Sequence, residues 1–312
     1  MPWGPDGASY IHRMAILEDA DPVAEVPPGP PLPLGRRIIL RGRGTTFVRE
    51  LPGPPGAPTV LLLHGWMASG GLNWFQTFDG LGEHFRVVAM DMRGHGRGIR
   101  SGRRFRLADC ADDAAALLGV LDTGPVIVVG YSLGGPVAQL LWKRHPHLVQ
   151  GMVLCATAHT LMPGAREQWI FTTVMAVAAG TTRAGQIAAK LPASRIRRLV
   201  APAGATQRPE RLRDWARAEM RRHSYRMILE AGIAMSNYSA RRWIGRVDVP
   251  TTVIITTKDR AIPPLAQMHM ALSIPGADIK RIEDGHLVCA KPAFGPPIVA
   301  GCLDVAARVV SG

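Results

Sequence analysis

The chain has 312 residues, 47% of them hydrophobic and 20% charged; that is enough apolar material for a sizeable core, and it excludes a disordered chain. Its formal charge of +13 points to nucleic acid, an anionic membrane surface or an acidic substrate as partners, although arginine far outnumbers lysine and a codon bias would leave the same excess. With aromatic residues at 6%, no zinc-finger spacing, no RNA-recognition aromatics and no basic helix running into heptads, a nucleic-acid partner is not expected.

Residues 1–34 end in VPPGPPLPLG. Proline at that density removes backbone donors and favours extended chain, so this segment reads as a tail laid over the surface. It has no basic start followed by an apolar stretch, and it carries EDAD at residues 18–21, so no secretory signal is expected. No apolar run reaches about 18 residues, so no membrane-spanning helix is expected either, and the location is read as cytoplasmic. RRIILRGRGTTFVREL, from Arg36, reads as a hairpin around a Gly-rich turn. An alternating rhythm follows. TVLLLHG (59–65) and FRVVAMD (85–91) are apolar strands, and residues 107–122 form a helix with Leu107, Cys110, Ala114, Leu117, Leu118 and Leu121 on one face. PVIVVG (125–130) is a strand, 133–145 a helix and GMVLCAT (151–157) a strand. The rhythm stops over residues 160–246, which read as helical, and resumes with the strands TTVIITT (251–257) and DIKRIED (278–284) and a helix over 294–310. Residues 35–159 and 247–312 therefore predict one α/β core, a mostly parallel central sheet flanked by helices, with residues 160–246 as a helical cap inserted in it. The four cysteines, Cys110, Cys155, Cys289 and Cys302, form no C-x-x-C pair; they read as buried free thiols rather than metal ligands.

One serine stands at the junction of a strand and a helix. In Gly130-Tyr131-Ser132-Leu133-Gly134, two glycines bracket Ser132, leaving room for strand and helix to approach across a tight turn. The hydroxyl is then exposed at the carboxyl end of the sheet, where open α/β folds place their sites. The pattern G-x-S-x-G between an apolar strand and an apolar helix resembles the nucleophile elbow of the α/β-hydrolase family, and the resemblance covers residues 36–310 apart from the insertion. A serine hydroxyl needs a base, and the base an orienting acid. Asp259 follows the strand at 251–257 and His286 the strand at 278–284, on the same rim as Ser132 and in the family's order of serine, acid, histidine. The resemblance implies an oxyanion hole made by the backbone N–H groups of Leu133 and Trp66.

Other titratable residues fit less well. Asp248 lies at the wrong end of its strand, and Glu283 and Asp284 are too close to His286 in sequence. His269 lies in a helical pattern and reads as partly buried. His64 and His95 belong to the signatures HG and RGHG and read as turn-shaping, and Asp91 and Arg93 as holding loops together. The Trp66 side chain is free either to wall an acyl pocket or simply to pack. Haloalkane dehalogenases and epoxide hydrolases of this fold use an aspartate nucleophile, which position 132 lacks.

Residues 160–246 hold sixteen basic residues against five acidic ones, most of the chain's excess charge. WIFTTVMAVAAG (169–180) reads as a core-packed helix; a lid over an apolar pocket and a helix lying on lipid are the alternatives. Apolar lining with a cationic rim suits acyl groups on anionic carriers. The sequence thus predicts a serine hydrolase of the esterase or lipase type, acting on small-molecule or lipid esters through an acyl-enzyme and needing no metal or organic cofactor. An anionic lipid surface or an acyl-CoA is a candidate partner of the basic cap. An acyltransferase or thioesterase using the same three residues, and a non-catalytic binding or signalling module on the same fold, stay open.

Overall fold

The computed structural model describes residues 29–162, 164–188 and 212–311. Residues 1–28 of the proline-rich segment, and the basic residues Lys190, Arg195, Arg197, Arg198, Arg208 and Arg211, lie outside the described residues. Gly35–Leu40 (β1) and Gly44–Leu51 (β2) pair antiparallel, with Leu40 opposite Gly44 across the turn. Arg49 ties the preceding segment down by donating to the Pro33 carbonyl at 2.6 Å. Thr59–Leu63 (β3), Arg86–Met90 (β4), Val126–Tyr131 (β5), Val149–Cys155 (β6), Thr251–Thr256 (β7) and Asp278–Ile282 (β8) complete an eight-stranded sheet in the order β1-β2-β4-β3-β5-β6-β7-β8. β3 to β8 run parallel, and β2 pairs antiparallel with β4.

β3, β4, β5, β6 and β7 are mostly apolar along their length because both faces are covered, whereas the edge strand β8 carries Asp278, Lys280 and Arg281 and stays partly exposed. Alternate residues serve opposite faces. Leu61, Leu63, Val88, Met90, Val128, Leu154 and Ile255 enter one core, with the helices Leu107–Leu121, Gly134–Arg144 and Pro264–Ser273. Val60, Leu62, Val87, Val129, Val153 and Ile254 enter the other, with Phe78, Leu81, Ile298, Cys302 and Val305. In chain order the helices are Gly70–Trp74 (α1), Phe78–Gly82 (α2), Leu107–Leu121 (α3), Gly134–Arg144 (α4), Ala165–Ala188 (α5), Leu212–Arg221 (α6), Tyr225–Ser236 (α7), Pro264–Ser273 (α8) and Gly295–Ser311 (α9). The fold is the predicted α/β architecture, with α5, α6 and α7 inserted between β6 and β7. Cys110, Cys155 and Cys302 are buried and Cys289 is half-buried.

Three expectations need correction. The helix over Pro292–Ser311 is long and apolar enough to cross a membrane by length and composition, where the sequence reading expects no such span. It packs on the sheet, with Ile298, Gly301, Cys302 and Val305 buried, and Arg308 donates to the Thr251 carbonyl of β7 at 2.9 Å. His269 is exposed rather than partly buried; α8 turns Gln267, Met270 and Ala271 inward instead. The 169–180 stretch is not core-packed among the described residues: Trp169, Val174 and Val177 are 69%, 55% and 64% exposed. Phe171 instead turns inward, edge-on to Trp66 with ring centroids 6.1 Å apart.

Candidate active site

Ser132 directly follows β5 at φ 50°, in the left-handed region. A side chain there is strained and persists only where the surroundings hold it. The holding is visible. Ser132 N–H donates to the Cys155 carbonyl at 3.0 Å, and the Ser132 carbonyl accepts from Gly135 N–H and Thr157 Oγ1, each at 2.9 Å. The flanking glycines are sterically required. A Cβ on Gly130 would come within 2.6 Å of the Gly134 carbonyl oxygen, and one on Gly134 would collide with the Leu63 carbonyl.

The turn brings Ser132 to His286, which follows β8, and His286 to Asp259, which follows β7. Ser132 Oγ lies 2.9 Å from His286 Nε2, and His286 Nδ1 lies 2.8 Å from Asp259 Oδ2. Asp259 is buried and accepts only, so Nδ1 carries the proton and Nε2 is free to accept from the hydroxyl. Its carboxylate is fully engaged. Oδ1 accepts from Ala261 N–H at 2.8 Å and Ile262 N–H at 2.9 Å, and Oδ2 also accepts from Thr256 Oγ1 at 2.8 Å. Burial works against the Asp259 charge, but the hydrogen bonds from His286 and Ile262 outweigh it and hold the pKa below the ordinary carboxylate value. Tyr131 Oη donates to the His286 carbonyl, fixing the loop that carries the ring.

The loop after β3 runs beside the serine: a Cβ on Gly65 would stand 3.5 Å from Ser132 Cβ. Gly65 N–H donates to Asn73 Oδ1 at 2.9 Å. The amides of Trp66 and Leu133 have no protein acceptor among the described residues, so both are free to donate to a bound oxygen. The Trp66 side chain does more than pack: its Nε1–H donates to the Ile228 carbonyl of α7 at 2.8 Å.

The other candidates are accounted for elsewhere. Asp248 accepts from Trp142 Nε1 at 3.0 Å, and Asp284 pairs with Lys291 at 2.7 Å. Asp91 is buried and accepts from Gly70 N–H at 2.7 Å and Arg97 N–H at 2.8 Å, while Arg93 pairs with Asp113 at 2.6 Å. His64 donates from Nδ1 to the Gly65 carbonyl at 2.8 Å and accepts at Nε2 from Met92 N–H at 2.9 Å. Both of its nitrogens are occupied, and burial pushes its pKa down to about 3. His95 is also buried, donating from Nδ1 to the Arg93 carbonyl at 3.0 Å, and its Nε2 has no partner among the described residues. Charging it would create a buried N–H without an acceptor; burial, then the nearby His64, hold its pKa well below the ordinary value.

Sequence reasoning does not single out His223 or Glu219, which belong to the insertion. His223 accepts from Gly96 N–H at Nδ1 (2.8 Å) and donates from Nε2 to the Met67 carbonyl (3.0 Å). Glu219 is buried and takes a two-pronged ion pair from Arg97 at 3.0 and 3.1 Å. A buried acid within a run of arginines is the one local signal that marks this contact.

Histidines kept neutral in the fold make stability fall on acidification. The unfolded chain takes up protons below about pH 6.5, whereas folded His64 does so only near pH 3. Stability is therefore full above the unfolded value and declines as pH drops towards the folded one, His64 alone accounting for roughly 2 kcal/mol by pH 5. His95 and His223, both lowered chiefly by burial, act in the same direction. Urea unfolding at pH 7.5, 6 and 5 checks this; His64→Gln should flatten the slope.

The family described as alpha/beta hydrolase fold matches residues 58–291. A poly(3-hydroxyalkanoate) depolymerase of Ectopseudomonas oleovorans is 28% identical over 239 residues, covering 76% of this chain and 80% of the relative. A hydrolase from Pseudomonas aeruginosa superimposes with a TM-score of 0.68 at 22% identity, covering 86% of this chain and 97% of that one. A thermophilic esterase from Thermogutta terrifontis does so with a TM-score of 0.67 at 22% identity, covering 88% and 99%. At that identity the two structures bear on the fold.

Proposed function

The chain belongs to the alpha/beta hydrolase fold family, and on that premise we propose that it cleaves carboxylic esters through an acyl-enzyme on Ser132. The observation that carries the reading is the unbroken relay from Ser132 Oγ to His286 Nε2 (2.9 Å) and from His286 Nδ1 to Asp259 Oδ2 (2.8 Å). As Ser132 Oγ adds to the ester carbonyl, His286 Nε2 takes its proton. Asp259 keeps the second ring proton on Nδ1 and stabilises the imidazolium. The carbonyl oxygen becomes an oxyanion, received by the amides of Trp66 and Leu133; such a donor is typically worth about 3 kcal/mol. Collapse expels the alcohol, which leaves with the proton from His286. Water then attacks the acyl group, His286 again accepting and returning a proton, and the carboxylic acid departs. The depolymerase and esterase named above are relatives in keeping with ester chemistry.

The insertion, read as a cap, supports an acyl substrate with an anionic portion. A cavity of about 220 Å³ is lined by Met67, Met220, His223, Tyr225 and Ile228, with Arg217 and Arg221. Met67 directly follows Trp66, so the cavity adjoins the loop assigned to the oxyanion. The exposed Trp169, Val174 and Val177 favour esters presented at an anionic lipid surface, or acyl groups on an anionic carrier such as CoA.

A chain-length series of p-nitrophenyl esters and acyl-CoAs tests the reading, run on the protein and on Ser132→Ala. Ester turnover that depends on Ser132 is expected. Arg217→Glu/Arg221→Glu should lower kcat/KM on anionic substrates about five- to tenfold and leave neutral esters within about twofold. Equal effects on both sets would remove the anionic preference. Turnover insensitive to Ser132 would remove the mechanism.

A further inference from the structure

The loop carrying Trp66 is tied to the insertion at three points. Trp66 Nε1–H donates to the Ile228 carbonyl at 2.8 Å, His223 Nε2–H to the Met67 carbonyl at 3.0 Å, and Ser69 Oγ to Glu219 Oε2 at 3.2 Å. All three partners come from α6, α7 or the turn between them. The middle tie holds the least self-sufficient piece of backbone. Ala68 N–H donates to the Gly65 carbonyl at 3.3 Å, closing a turn with Trp66 and Met67 at its centre, and Met67 sits at φ 58°. Turns with a positive φ at that position favour glycine or asparagine. A methionine held there is strained and stays only under outside constraint.

His223 is placed to supply that constraint. His223 is 8% exposed. Nδ1 accepts from Gly96 N–H at 2.8 Å, and the next residue, Ser224, donates its N–H to the Gly94 carbonyl at 2.8 Å. The imidazole is thus anchored on the core through the 94–96 loop and points its one N–H at Met67. His95, with ring centroids 5.7 Å away, lies against it, and Arg100 and Glu219 are the charged groups close enough to act on it.

Building on the ester-hydrolase reading above, we propose that His223 is a positioning residue: through the Met67 carbonyl it holds the Trp66 amide aimed at the oxyanion, so that the docked insertion completes the site. Trp66 and Met67 are the two central residues of one turn. Relaxation of Met67 to negative φ would carry the Trp66 peptide with it. An amide that serves only the transition state changes kcat and leaves KM alone; a residue that merely shaped the cavity would change KM.

The test uses the full chain with a p-nitrophenyl ester, together with deuterium uptake over residues 65–70. His223→Leu should lower kcat about tenfold with KM within about twofold, and should raise uptake in that segment. His223→Gln extends an amide N–H to the reach of Nε2 and should restore both values. His223→Asn places its amide near Nδ1, serving Gly96 but not Met67, and should restore neither. A loss confined to KM, equal behaviour of the Gln and Asn variants, or unchanged uptake in the Leu variant would each overturn the proposal. Where the Leu variant does not fold, the comparison of Gln with Asn decides. If Ser132→Ala turns over like the parent, the ester-hydrolase reading and the effect of His223 on kcat fall together, while the uptake comparison still decides whether His223 holds the loop.

Discussion

Ser132→Ala should leave the fold intact and lower kcat by roughly 10⁴- to 10⁶-fold. The fold should survive because Ser132 is held through its backbone. Its N–H meets the Cys155 carbonyl, and its carbonyl meets Gly135 N–H and Thr157 Oγ1. Alanine has the same Cβ, so the strain of φ 50° is unchanged. The one side-chain hydrogen bond lost is that to His286 Nε2 at 2.9 Å, and His286 is half-buried and open to water in its place. Activity should collapse because the relay through His286 and Asp259 is left with no hydroxyl to activate. Residual turnover would come from the two amides and from substrate binding, which typically leave about 10³- to 10⁴-fold over water. Steady-state kinetics on an activated ester, with circular dichroism as the folding control, measures this. Labelling by a fluorophosphonate should vanish in the same variant. A folded Ser132→Ala protein within about tenfold of the parent, a loss far too small for a missing nucleophile, would refute the acyl-enzyme.

Much of this architecture is local, and therefore legible in the sequence. An apolar run five to seven residues long forms a strand here, from β3 to β7, because both faces of the sheet are covered. The reading goes slightly astray at β6, which starts at Val149 rather than Gly151 because Val149 pairs with Val126. Sequence places Ser132, Asp259 and His286 each at the carboxyl end of a strand, and a parallel sheet delivers such ends to one rim; the structure brings these three side chains within hydrogen-bond reach. The ties between the insertion and the Trp66 loop are not legible. Two of the three end on backbone carbonyls, those of Ile228 and Met67, and a carbonyl leaves no mark in a sequence. The partners are 150 to 162 residues apart, so no periodicity links them. Met67 runs against propensity by occupying a left-handed turn position, where reasoning from residue type looks for glycine. His269 is misread for a simpler reason: helical spacing predicts that one face is buried but not which, and α8 buries Gln267 and Met270 instead.

Asp259→Asn should lower kcat about 10⁴-fold with little loss of stability, and the surroundings of the carboxylate say why. Oδ1 accepts from two backbone amides, Ala261 N–H at 2.8 Å and Ile262 N–H at 2.9 Å. An asparagine must present its carbonyl oxygen to those donors, since turning its NH₂ towards them would set donors against donors in a buried site. The NH₂ is thereby directed at His286 Nδ1, where the carboxylate oxygen now sits at 2.8 Å. A ring nitrogen facing a donor must be the unprotonated one, so the ring proton moves to Nε2. Nε2–H then points at Ser132 Oγ and has no lone pair with which to accept the hydroxyl proton. Thr256 Oγ1, which now donates to Oδ2 at 2.8 Å and accepts from Gln267 Nε2 at 2.9 Å, can turn its hydrogen to Gln267 Oε1, 3.4 Å away, and accept from the new NH₂ with its second lone pair. The amide is therefore accommodated while the base is disabled. Steady-state kcat gives the loss, and the ¹⁵N shifts of the His286 ring give the tautomer directly: protonated at Nδ1 in the parent and at Nε2 in the variant. A variant that keeps Nδ1 protonated, or that retains kcat within about tenfold of the parent, would mean that Asp259 does not set the state of the ring.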